Sequence, residues 1–172
     1  MKKFIIPALL FFSFSALALT YEYGTYETKS HVSLKVPTQE VLVKVLESGP
    51  TSLSLDMVII SRDRRFPSLR DSRVLKKDSS GKWTYSMGPQ FGTVEDVSAT
   101  SNGKIITSYR VKIRQPSGNI YTMTSTISEG TTRTKGETHS IDGKLLFETE
   151  GSANPVSEAQ YNDYLNRLKS FL

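Results

Sequence analysis

Between about residues 53 and 150 the chain alternates apolar and polar positions with a period of two, the pattern of strands that bury one face. Leu53, Leu55, Met57 and Ile59 fall on one side, with Ser54 and Asp56 between them. Ile105, Thr107, Tyr109, Val111 and Ile113 oppose Ile106, Ser108, Arg110, Lys112 and Arg114. Glycine turns punctuate the runs at Ser80-Gly81, Asn102-Gly103, Ser117-Gly118, Glu129-Gly130 and Asp142-Gly143. Each interval holds one strand and one turn, too little for the helical crossovers that parallel strands require. Residues 72–150 therefore read as a ladder of hairpins. Weaker strand signals cover Tyr21–Thr28, Val32–Val36, Val41–Glu47, Ser52–Ser61, Ser72–Lys77 and Trp83–Met87, which brings the count to nine or ten.

Turn chemistry predicts the register. Asn102-Gly103 and Asp142-Gly143 suit two-residue type I′ loops, and Pro116-Ser117-Gly118 suits a three-residue loop ending in a left-handed glycine. The three-residue loop sets Ile113 opposite Tyr121, Val111 opposite Met123 and Tyr109 opposite Ser125. Any one-residue slip would mix the two faces. The same face continues through Thr132, Thr134, Gly136, Thr138 and Ser140, then Leu145, Phe147 and Thr149. On the other face Lys135 falls opposite Glu150 and Arg110 opposite Glu95. Through the Asn102-Gly103 turn, Asp96 comes to lie opposite Tyr109 and points inward.

The last segment changes period. Tyr161, Tyr164, Leu165, Leu168, Phe171 and Leu172 recur at helical spacing, and Ser157-Glu158-Ala159-Gln160 is a capping box with Val156 against Tyr161 as its staple. A helix over about 157–170 is expected, docked outside the sheet on Val97, Ala99, Ile106 and Leu146. The fold class is then all-β: an antiparallel up-and-down meander that closes into a barrel or strongly curved sheet, with one C-terminal α-helix. This layout resembles the lipocalin-type barrels over most of the chain. Of their G-x-W signature only Gly24-Thr25-Tyr26 is present, so no functional residue is carried over from the resemblance.

The first eighteen residues add an address. Lys2 and Lys3 precede an apolar stretch from Phe4 to Leu17, and Ala16-Leu17-Ala18 matches a signal-peptidase site. The apolar stretch is short for a spanning helix. Residues 1–18 are read as a signal peptide and 19–172 as a single domain, exported to a bacterial periplasm or beyond and not transmembrane after processing. Loss of Lys2 and Lys3 lowers the net charge from +5 to +3.

Composition removes several chemistries. The chain has no cysteine, hence no disulfide, thiolate nucleophile or Cys-ligated metal. The usual nucleophile, zinc-hydrolase, phosphate-loop and dinucleotide motifs do not occur. Two S-x-x-K strings, Ser79 to Lys82 and Ser101 to Lys104, span hairpin turns, and His31 and His139 lie far apart in sequence. No cofactor, metal or nucleic-acid partner is expected.

Two features suggest binding instead. The inward face is rich in serine and threonine where a packed interior would carry branched aliphatics. That points to an amphipathic pocket formed by Asp96, Tyr109, Tyr121, Met123, Thr134, Thr138 and Phe147, holding a small amphipathic or lipidic ligand. The segment 62–77 carries seven basic residues against Asp63 and Asp71, so Arg62, Arg64, Arg65, Arg70 and Arg73 are expected to form an anion-binding lip. The leading expectation is an exported, non-enzymatic binding protein. The alternatives are an envelope scaffold docking anionic lipid or cell-wall polymer through the 62–77 loop, and an enzyme using Asp96 and Tyr109 as acid and base.

Overall fold

Ten antiparallel strands follow one another around a closed wall in the computed structural model, which describes residues 19–172 apart from Pro67, Lys104 and Glu129. The expected leader lies outside the described residues. The strands are β1 (Thr20–Ser30), β2 (Gln39–Ser48), β3 (Ser52–Ser61), β4 (Leu69–Lys77), β5 (Trp83–Met87), β6 (Gln90–Ala99), β7 (Ile106–Arg114), β8 (Ile120–Ser128), β9 (Thr131–His139) and β10 (Leu145–Val156). Each pairs with its neighbours in sequence. β1 then pairs with β10 from Tyr21–Val156 to Ser30–Phe147, which removes both free edges. Residues 31–38, expected to include a strand, form a mostly exposed loop with Pro37 near its end.

The central register is the expected one: Ile113 faces Tyr121, Val111 faces Met123, Tyr109 faces Ser125, and Phe147 faces Thr138. Lys135 faces Glu150, and the two form an ion pair of 3.1 Å. The turns differ from expectation in two places. At Asp142-Gly143 the loop has three residues, since Ser140 and Lys144 close it and Gly143 takes φ +84°. This repeats the arrangement at 116–118, where Gln115 and Asn119 close the loop. At Asn102-Gly103 the closing pair is Thr100 and Ile105, so four residues lie between them instead of two. The longer loop leaves the register beside it as expected, with Ala99 facing Ile106. The pairing shifts only further along, between Thr107 on β7 and Glu95 on β6, each of which bulges out of the ladder.

Two cores result. The inner one gathers Val43, Leu53, Leu55, Leu75, Tyr85, Tyr109, Val111, Ile113 and Met123, all from inward positions of the wall. The outer one lies under α1 (Glu158–Leu168), which docks on Tyr21, Leu42, Val58 and Ile60 of β1–β3. This corrects the expected seat at Val97, Ala99, Ile106 and Leu146. A single residue, Ser157, joins β10 to α1, and Val156 is paired with Tyr21. The helix is about 16 Å long, so it lies against the strand that closure sets beside it. Tyr164 stacks on Tyr23 at 4.0 Å between ring centroids, and Tyr161 tilts against Tyr21 at 5.0 Å.

The capping box is formed. The Ser157 hydroxyl accepts from the Gln160 backbone N–H, and the Ser157 N–H donates to the Gln160 side chain. Ser157→Ala is expected to cost about 1 kcal/mol in urea unfolding and to loosen the first turn. An unchanged midpoint would show that the helix is held by its apolar seat alone.

Candidate functional site

The inner wall is built in two halves. At the end where β1 starts and β10 finishes, Val43, Leu53, Leu55, Leu75 and Ile106 are buried and fill the space. Toward the other end the inward positions become Thr28, Gln39, Asp71, Met87, Tyr121, Thr138, Phe147 and Thr149, all only half-buried. The barrel is thus a cup, closed at one end and partly open at the other. Around the open rim stand the exposed side chains of Val32, Leu34, Leu69, Phe91 and Ile141, drawn from four different connections or strand starts.

Between the halves sits a layer of aromatic hydroxyls. Tyr26 lies against Gly151, its partner on β10, and Tyr121 lies over Gly136, where an added Cβ would approach the phenol oxygen to 2.5 Å. Tyr85 packs beside Gly92 in the same manner. The glycines therefore leave room for rings that would otherwise collide with the wall. Their phenols surround Arg73, whose side chain is 93% buried and interacts electrostatically with Tyr26, Tyr85, Tyr109 and Tyr121. Burial pushes the Tyr121 phenol up to about 12 and raises Tyr85 and Tyr109 too, against the pull of the neighbouring guanidinium. At neutral pH all three are hydroxyl donors.

Arg73 is the residue whose role the sequence reading misplaced. On β4 the inward set is Asp71, Arg73 and Leu75, facing Met57, Leu55 and Leu53 of β3. Arg73 is therefore part of the inner wall and not of a lip. Its sequence signal is parity with Leu75, which must face inward. Tyr26 and Tyr85 were likewise outside the expected pocket and belong to this layer.

Of the expected pocket residues, Tyr109, Tyr121, Met123, Thr134, Thr138 and Phe147 all lie on the inner wall. Asp96 does not. Thr107 bulges out of the pairing between Ser98 and Ala99, so Val97 takes the place opposite Tyr109, and a second bulge at Glu95 restores the register at Val94. Asp96 instead faces Arg110 and is exposed. Asp96 and Tyr109 thus lie on opposite faces of the wall, and no acid–base pair is assembled from them. Glu95 forms the expected ion pair with Arg110, at 3.0 Å.

The expected unfilled volume is also redistributed. Ser125 and Thr134 hydrogen-bond each other at 3.1 Å and are sealed from solvent, as are Tyr109 and Met123. Aromatic rings occupy the space beside the small residues in this middle layer. Accessible inner surface remains toward the rim, at Tyr121, Thr138, Phe147, Thr28 and Thr149.

The remaining arginines of the 62–77 segment are partly committed within the protein. Arg62 donates two hydrogen bonds to Glu40, at 2.7 and 3.1 Å, and its guanidinium lies over Phe171. The Tyr23 hydroxyl donates to the same Glu40 carboxylate. Arg65 pairs with Asp63, whose carboxyl is held down at about 2 by that contact. Arg64 and Arg70 stand exposed. Only residues 62–68 form the connection; Arg70, Arg73 and the two lysines lie in β4.

Two further concavities are present. β5 is joined to β6 by just three residue pairs, Tyr85–Gly92, Ser86–Phe91 and Met87–Gln90. Beyond them the strands part, leaving a lateral cleft of about 490 Å³ lined by Trp83, Tyr85, Val94 and Val97 among others. A wider outer groove of about 930 Å³ runs across β7–β10 and β1, lined by Thr122, Thr124, Thr126 and charged residues of both signs. No family model matches this chain, and no curated protein of significantly similar sequence is found.

Proposed function

We propose that this protein is an exported, periplasmic binding protein that holds a small amphipathic ligand in the open half of its barrel. One observation carries the reading: the inner wall is sealed with aliphatics at one end but lined with half-buried hydroxyl and aromatic groups at the other. A concave, mixed apolar–polar surface with convergent polar groups is the usual form of a small-molecule site. The apolar part of the ligand would lie along Phe147, Met87 and the rim residues, with its polar atoms among Thr28, Thr138, Thr149 and Tyr121. Export is supported by the Lys2-Lys3 start, the apolar stretch and the Ala16-Leu17-Ala18 pattern.

Titration with the neutral fluorophore N-phenyl-1-naphthylamine tests the binding reading. Saturable one-to-one uptake is expected, weakened about tenfold or more in Thr138→Trp, which fills the mouth. Absence of saturable uptake by the wild-type protein would overturn the proposal. Mature protein recovered from a periplasmic extract is expected to begin at Leu19, and native mass spectrometry of it to reveal a bound mass.

A further inference from the structure

We propose that the ligand carries an anionic head, a carboxylate or a phosphate monoester, that binds Arg73 at the floor of the cup. The inference rests on the binding role proposed above and names the chemistry of that site. A guanidinium is permanently charged and offers five N–H donors in a planar fork matched to such heads. Among the described residues, two of the hydrogen bonds made by this buried fork are weak. Its Nε lies 3.5 Å from the Asp71 carboxylate, at the outer limit of a hydrogen bond. Its Nη1 donates to the Met123 sulfur at 3.2 Å, a weak acceptor. The Tyr109 hydroxyl also bonds to the guanidinium, and Tyr26, Tyr85 and Tyr121 interact with it electrostatically. The contrast with Arg62 is instructive, since that exposed arginine holds Glu40 with two short bonds.

The surroundings add one unpartnered group. Tyr85 and Tyr121 add hydroxyl donors, and the buried Tyr85 phenol oxygen has no hydrogen-bond partner among the described residues. A buried hydroxyl left without a partner is costly. An acceptor-rich, negatively charged group would replace the weak contacts of the guanidinium and supply the phenol with a partner. Asp71 precedes Arg73 on the inward side of β4, nearer the open rim, and is half-buried. It occupies the approach to Arg73 as a loosely held internal carboxylate that an incoming anion displaces.

Isothermal titration with three ligands of equal chain length, octanoate, octyl phosphate and 1-octanol, tests this. The wild-type protein is expected to bind at least one of the two anions about 10- to 100-fold more tightly than the alcohol, the range set by charge-assisted hydrogen bonds. Which of the two binds more tightly distinguishes a carboxylate from a phosphate head. Arg73→Gln is expected to reduce anion binding to the level of 1-octanol and leave the alcohol unchanged. Asp71→Asn, which removes the internal competitor, is expected to tighten anion binding. On the unsubstituted protein, the ¹⁵Nε–H resonance of Arg73 is expected to shift on adding the preferred anion and not on adding 1-octanol, a readout that needs no variant to fold. Equal binding of alcohol and anions with an unmoved Arg73 resonance would overturn the anionic head while leaving the binding role standing. Failure of all three ligands to bind would overturn both.

Discussion

Gly151→Ala is expected to destabilise the protein by about 3 kcal/mol or more, at the upper end of what overpacking costs. The methyl group would overlap the Tyr26 ring and also the carbonyl oxygen of Thr25. The ring is part of the inner core and is 94% buried, so it has no vacant rotamer to turn into without displacing the tyrosine layer. The carbonyl belongs to the β1–β10 pairing that closes the barrel, so it cannot retreat without opening the wall. Urea unfolding reads the effect directly. Gly103→Ala serves as the comparison: nothing lies within 4 Å of its added methyl, and only its φ of +66° opposes the change. That substitution is expected to cost about 1 kcal/mol. Equal midpoints for the two variants would show that Tyr26 does not sit where the packing argument needs it.

The second large effect concerns Glu22, whose inward side chain on β1 is buried in the closed end of the cup. One carboxylate oxygen accepts from the Thr132 hydroxyl at 3.1 Å, and the other has no partner among the described residues. Burial pushes this carboxyl up to about 7 from an ordinary 4.5, the Thr132 bond opposing it only in part. The folded pKa is thus above the unfolded one, so folding takes up a proton between these values. The associated stability is fully present below pH 4.5 and is lost as the pH rises through 7. Glu22→Gln removes the charge and is expected to raise stability at pH 8 by about 2 kcal/mol relative to the wild type, with little difference at pH 4. Subtracting one profile from the other separates Glu22 from Asp63 and Glu40, whose carboxyls are lowered by their arginine partners and act in the opposite direction. Parallel profiles for variant and wild type would refute this account.

A bulge and a pair of ambiguous alternations separate what was readable in the chain from what was not. The β7–β8 register was legible because turn and strands lie within 25 residues of one another, and apolar faces agree only in one alignment. The capping box was legible for the same reason, since its donors and acceptors are three residues apart. Asp96 was misassigned because a one-residue bulge at Thr107, between the turn and Asp96, shifts the pairing of Asp96, Val97 and Ser98 by one position. Nothing in the local composition marks that position. Arg73 was misassigned because β4 carries charges on both of its alternating sets, Arg70 and Lys76 on one and Asp71 and Arg73 on the other.

Alternation, turn residues and helical spacing are short-range properties, so the all-β meander, its central register and its terminal helix follow from the chain alone. Which residues meet across the barrel is a long-range property. Closure of β1 on β10 seats the helix on β1–β3, lays Tyr26 over Gly151 and gathers phenols from four strands around one guanidinium. No periodicity encodes those meetings, because each depends on how many strands the wall contains and how it curls before its edges pair.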